Sequence, residues 1–179
     1  MTSCYRSCMR IRGVQLFSSA EPFRALLRNV LCAQRNNMKD TLKPGLEHTF
    51  SFNINNSKTV PALYPESDEF QSMPIVFATG YLVGFIEWTC IQLLNSHLDW
   101  PEEQSVGIHI DVSHVAATPP GLVVTAKVKL IAVDGRRLVF DVEAYDDVDL
   151  ISQGKHERFI ISKNKFDSKM SEKSKFDNI

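Results

Sequence analysis

The chain has 179 residues, 44% of them hydrophobic, enough for one ordinary core and with no need of a second domain. Its formal net charge of −1 gives no electrostatic reason to expect nucleic acid or a membrane surface as a partner. No uninterrupted run of about 18 uncharged apolar residues is present, so no membrane span is expected.

Residues 1–38 stand apart in composition. Arg6, Arg10, Arg12, Arg24, Arg28 and Arg35 face a single acid, Glu21, and Phe23, Leu26, Leu27, Val30 and Leu31 recur at helical spacing. An Arg-rich, acid-poor, amphipathic start has the composition of a mitochondrial transit peptide, which places the protein in the mitochondrial matrix. A disordered or partner-binding arm has a similar composition, and a start at Met38 would leave a cytoplasmic form. Cys4, Cys8 and Cys32 fall in this arm and only Cys90 in the body. That is neither a disulfide framework nor a zinc site, so no metal is expected.

Residues 39–162 carry the domain. From Glu47 to Ile54, Phe50, Phe52 and Ile54 fall on one face of an alternating strand. A loop rich in Asn, Pro and acids runs from Asn55 to Pro74. A helix is expected from about Thr79 to Leu98, apolar on nearly all sides and therefore wrapped by other elements. Val106, Ile108, Ile110 and Val112 then alternate with Gly107, His109 and Asp111 as a period-two strand.

After Pro119-Pro120-Gly121, two long strands, Leu122 to Val133 and Arg137 to Tyr145, are joined through Asp134-Gly135, a dipeptide that favours a type I′ hairpin turn. A last strand covers His156 to Ser162, and residues 163–179 read as a solvated tail. One apolar helix and a sheet of long antiparallel strands make an α+β domain in which the curved sheet wraps the central helix, a hotdog fold.

Glu87 is the acid inside the apolar helix. Burying a lone carboxylate costs several kcal/mol unless it is paired or protonated, so its presence points to use. A structural pairing with Arg136 or Arg158 would also explain it. Thr79 and Gly80 begin the helix, where backbone N–H groups lack intrahelical partners. Thr79 is therefore read as an N-cap, as a neighbour of an oxyanion hole built on those N–H groups, or as both. His114 continues the parity of Ile110 and Val112 toward the helix and closes its strand before the Pro-Pro-Gly loop. A carboxylate and an imidazole aimed at one space form a general acid/base pair. His48, His97, His109 and His156 show no such convergence.

Several segments then match one family in order. Thr59-Val-Pro-Ala-Leu-Tyr-Pro-Glu-Ser67, Val76-Phe-Ala-Thr-Gly80, Glu87-Trp88, Val112-Ser-His-Val-Ala-Ala-Thr-Pro-Pro-Gly-Leu122, Asp134-Gly-Arg-Arg-Leu138 and Gly154-Lys-His-Glu-Arg158 closely resemble the bacterial fluoroacetyl-CoA thioesterases, from about Met38 to Met170. The resemblance implies a homodimeric hotdog enzyme that hydrolyses a short acyl-CoA thioester, with coenzyme A as part of the substrate and no separate cofactor. It implies catalytic roles for Thr79, Glu87 and His114, and substrate contacts for Val60, Gly107 and Arg158; Gly80, at the helix start, is expected to bind the substrate carbonyl. One of the two aromatic residues of the family's active-site lid corresponds to Phe70. Met73 stands where the other would be, which leaves the acyl preference open. Glu87 is expected as nucleophile or as base for a water, His114 as proton carrier. A non-catalytic acyl-CoA-binding hotdog protein is the competing expectation. The Asp and His motif of a hotdog hydratase is not found.

Overall fold

The computed structural model describes residues 38–174; the arm up to residue 37, with the targeting expectation placed on it, lies outside them. Among the described residues five strands form one antiparallel sheet: β1 (Glu47–Asn53), β2 (Glu103–Val112), β3 (Val123–Asp134), β4 (Arg137–Tyr145) and β5 (Leu150–Ser162), in the order β1-β3-β4-β5-β2. Two one-turn helices, α1 (Val60–Leu63) and α2 (Asp68–Gln71), break up the long connection that composition alone reads as loop. They precede the long helix α3 (Thr79–Asn95).

The sheet curls because α3 touches both of its edge strands, β1 and β2, as well as β3 and β4 between them. This is the hotdog arrangement. Leu82, Phe85, Ile86, Thr89, Cys90, Leu93 and Leu94 are buried, a stripe at the three- and four-residue spacing of one helix face. Against it lie Val124, Ala126, Val128 and Leu130 of β3 and Leu138, Phe140, Val142 and Ala144 of β4, alternate residues as the pleat requires. Phe52 meets Phe85 edge-on with 4.6 Å between ring centroids, and Phe50 meets Trp88 at 4.5 Å.

The expectation that other elements wrap α3 holds for one face only among the described residues. Gly80, Gly84 and Trp88 are exposed and Val83, Glu87 and Ile91 half-buried, so a second face of the helix is uncovered. Three further expectations change. The β3–β4 turn has positive φ at Gly135 only, with Arg136 at negative φ and Asp134 paired to Arg137. A positive first central residue alone is the type II′ pattern rather than type I′. Residues Lys163–Lys173 form a helix, α4, that buries no side chain.

The third change moves the site. β2 pairs β5 with a bulge between Gly107 and His109, so Ile108 is the extra residue and is half exposed. Gly107 pairs with Arg158 and Ile110 with His156. The bulge flips parity, so Gly107 and Ile110 share the helix-facing side that simple alternation would divide between them.

Candidate active site

The first cluster sits at the start of α3. Ala78, not Thr79, is the N-cap, and it makes no side-chain capping bond. The entry is fixed by backbone bonds instead: Val60 N donates to Val76 O at 2.9 Å, Phe77 N to Thr118 O at 2.8 Å and Ala78 N to Lys58 O at 3.1 Å. Released from capping, the Thr79 hydroxyl lies 2.8 Å from His114 Nδ1, placed to donate to it. The other ring nitrogen of His114 is buried without a hydrogen-bond partner among the described residues. Burial pushes the protonation of His114 below the ordinary range, with the Ala116 backbone pulling the other way. A neutral imidazole on a hydroxyl is the geometry of an activated or oriented hydroxyl.

Val60, Val76, Phe77, Val115 and Ala117 line an open cleft around Thr79 and His114. The N–H groups of the first turn of α3 face no capping side chain, and the helix dipole adds positive potential there. Gly80 packs on Leu63, whose Cδ2 would lie 3.0 Å from any added Cβ. On the approach, Phe70 meets Tyr64 edge-on at 4.9 Å, while Met73 and Tyr64 are each half exposed.

The second cluster gathers around Glu87. Its side chain is 37% exposed, less buried than its apolar setting suggests, and it has a counter-charge. Arg158 Nη1 lies 3.5 Å and His156 Nε2 3.6 Å from Glu87 Oε1. Arg158 is 2% exposed, with Nε donating to Ser105 Oγ at 2.9 Å and Nη2 to the Ser105 carbonyl at 2.7 Å. Burial lowers its proton affinity, and Glu87 acts in the opposite sense. Burial likewise drives the Cys90 thiol up to about 12, leaving it an inert core residue.

Gly107 makes room for this carboxylate. An ideal Cβ there would fall on Glu87 Oε1, far inside contact distance, and 3.1 Å from His156 Cε1. Gly107→Ala is therefore expected to displace Glu87 and lower activity at the site about a hundredfold, with little change in circular dichroism. Full activity in that variant would show that the position of Glu87 does not matter.

Of the two arginines that could pair with Glu87, the structure selects Arg158. Glu87 and His114 do not meet within one chain: eight residues of helix at about 1.5 Å each put Glu87 some 12 Å beyond Thr79, in a different cluster. The sequence reading also passed over His156, which is 1% exposed. The available signal was the parity of β5, where His156 and Arg158 alternate onto the same face as buried Ile160.

Burial pushes His156 protonation down, as does Arg158, against opposing pulls from the His109 backbone, Glu87 and Glu157. Folded-state values of His114 and His156 thus lie below their ordinary 6.5. Above that pH both rings are neutral in either state. Below it the unfolded chain binds protons that the fold refuses, so stability falls as pH drops. The thermal midpoint is expected to decline from pH 6.5 toward 5, and a His114→Gln, His156→Gln double variant should flatten that decline. An unaltered slope would count against it.

The family model FlK, described as fluoroacetyl-CoA-specific thioesterase, matches residues 59–164. Fluoroacetyl-CoA thioesterase of Streptantibioticus cattleyicolor is 47% identical over 137 residues, spanning 76% of this chain and 98% of that protein. A solved structure of the fluoroacetyl-CoA thioesterase FlK superposes with a TM-score of 0.73 at 47% identity, covering 75% of this chain and 98% of that one. A hot-dog-like protein from Thermanaerovibrio acidaminovorans, 21% identical with a TM-score of 0.61 over 73% of this chain and 91% of its own, shares the fold.

Proposed function

We infer the activity from the family: this chain belongs to the fluoroacetyl-CoA-specific thioesterases, and it is an acyl-CoA thioesterase. The substrate class is a short acyl thioester of coenzyme A, fluoroacetyl-CoA or a related small acyl group, with the choice made around Phe70 and Met73. The observation that carries the assignment of residues is the Thr79 hydroxyl on His114 Nδ1 beside the uncapped start of α3.

In this reading the thioester carbonyl oxygen rests on the N–H groups at Thr79 and Gly80, which stabilise the oxyanion as it forms. Thr79 orients or stabilises the carbonyl, and His114 carries the proton. Glu87 attacks the carbonyl carbon, expelling the CoA thiolate and giving an acyl anhydride that water then splits, or it takes the proton of an attacking water. Either route yields the free acid and CoA thiol. Val60 and Gly107 border the acyl group, and Arg158 supplies positive charge. Coenzyme A enters only as part of the substrate, and the weakly basic thiolate leaves without further activation.

Because Thr79 and Glu87 are apart in one chain, the proposed unit is a homodimer. Among the described residues, edge strand β2 has no partner on its outer side and α3 has an uncovered face; both are proposed to be covered by a second copy. Residues 1–38 are proposed as the mitochondrial targeting arm.

Thiol release from acetyl-, fluoroacetyl- and medium-chain acyl-CoA tests the activity and ranks the acyl groups. Tight binding of all three without thiol release would instead describe a binding protein. In ¹⁸O-water, label in the Glu87 carboxylate after multiple turnovers is expected of the anhydride route. Its absence would exclude an anhydride split at the Glu87 carbonyl carbon.

A further inference from the structure

His156 takes no part in the chemistry above, yet it is buried and both of its ring nitrogens are engaged. Nδ1 lies 2.8 Å from the His109 carbonyl oxygen, which can only accept, so Nδ1 carries the proton. Nε2 is then a lone pair, and it accepts the Nη1–H of Arg158 at 3.0 Å. The remaining contacts of that guanidinium are taken by Ser105, through Nε and Nη2.

Nη1 therefore stands between two acceptors. It bonds the imidazole and remains 3.5 Å from Glu87 Oε1. Guanidinium and carboxylate left to themselves close to about 2.7–2.9 Å, often through two parallel bonds. At the longer distance Arg158 acts on Glu87 as a nearby charge and not as a hydrogen-bond donor. Protonation of His156 would remove the acceptor, and burial together with the neighbouring cation disfavours it.

We propose that His156 is a positioning residue that holds Arg158 off Glu87. By accepting the Nη1–H it leaves the carboxylate its lone pairs for attack on the thioester or on water, while the positive charge stays beside the site. The role rests on Glu87 being the reacting group.

Two substitutions separate this role from simple packing. Gln places its terminal amide near the Nε2 position and can still accept from Arg158. Asn reaches only the Nδ1 position, so it keeps the tether to the His109 carbonyl and loses the acceptor. For thiol release from acetyl-CoA, His156→Gln should retain kcat within about threefold, and His156→Asn should lose at least about thirtyfold in kcat with KM within about twofold. Crystallography of His156→Asn should find Arg158 Nη1 closed onto Glu87 at hydrogen-bond distance.

Equal losses in both variants, or a guanidinium that stays at its present distance in the Asn variant, would overturn the assignment. His156→Leu, which also offers no acceptor at the Nε2 position, replaces Asn if that variant does not fold. A Glu87→Gln enzyme with undiminished turnover would defeat the reading of Glu87 instead, and the Arg158 to Glu87 distance would then judge His156 alone.

Discussion

Glu87→Gln is expected to lower kcat for short acyl-CoA hydrolysis at least about a thousandfold, roughly 4 kcal/mol of transition-state stabilisation, while KM changes by no more than a few fold. Glutamine has nearly the same shape. It fits the space left by Gly107, and its carbonyl oxygen can face Arg158 as Oε1 does now. What it lacks is a lone pair basic enough to attack a thioester or to take a proton from water. The loss therefore belongs in kcat. The substitution also strips a buried guanidinium of its neighbouring negative charge. Removing one partner of a fully buried pair costs about 3–5 kcal/mol. The cost here should be smaller, because the carboxylate is 37% exposed and solvent already screens it. Thiol release and a thermal melt on the same preparation separate the two effects, and unchanged turnover in a folded variant removes Glu87 from the chemistry.

Much of this site follows from parity and helix position. The start of α3 at Thr79 and the bounds of β4 at Arg137 and Tyr145 are where the apolar pattern and the turn residues put them. His114 was expected to close β2, but the strand ends at Val112 and His114 meets Thr79 from two residues beyond it. The bulge at Ile108 was not legible, because a two-against-one pairing is set by how β5 lies beside β2 and leaves no mark on the alternation of one strand. That single extra residue brings Gly107 onto the side of Arg158 and opens the space Glu87 uses.

His156 was hidden for a related reason. Parity along β5 puts the Arg158 guanidinium on its face, but the carbonyl it meets on β2 is not recognisable until the strands are paired. The uncovered face of α3 was misread because hydropathy reports that a face is apolar and not which chain covers it.

Gly84 tests that last point with a large expected effect. It lies on the exposed side of α3, and an added Cβ there would meet no heavy atom of the described residues within 4 Å. Within one chain Gly84→Arg should be tolerated and, by helix propensity, should favour the helix by up to about 1 kcal/mol. Between two chains the effect reverses. If two copies of α3 pack antiparallel about Val83, Thr79 falls opposite the partner subunit's Glu87, because each is four residues from the crossing point. The clusters that one chain holds about two turns apart are then brought together, twice per dimer. The small side chains of Gly80 and Gly84 permit the approach, and Trp88, half exposed in a single chain, becomes covered. An arginine at 84 places a long charged side chain at that crossing. Wild-type protein is expected to sediment as a dimer and Gly84→Arg as a monomer with unchanged circular dichroism and kcat/KM reduced at least about a hundredfold. A monomeric variant with full activity would mean that one chain holds the whole site. One that stays dimeric and active would place the second copy on another face.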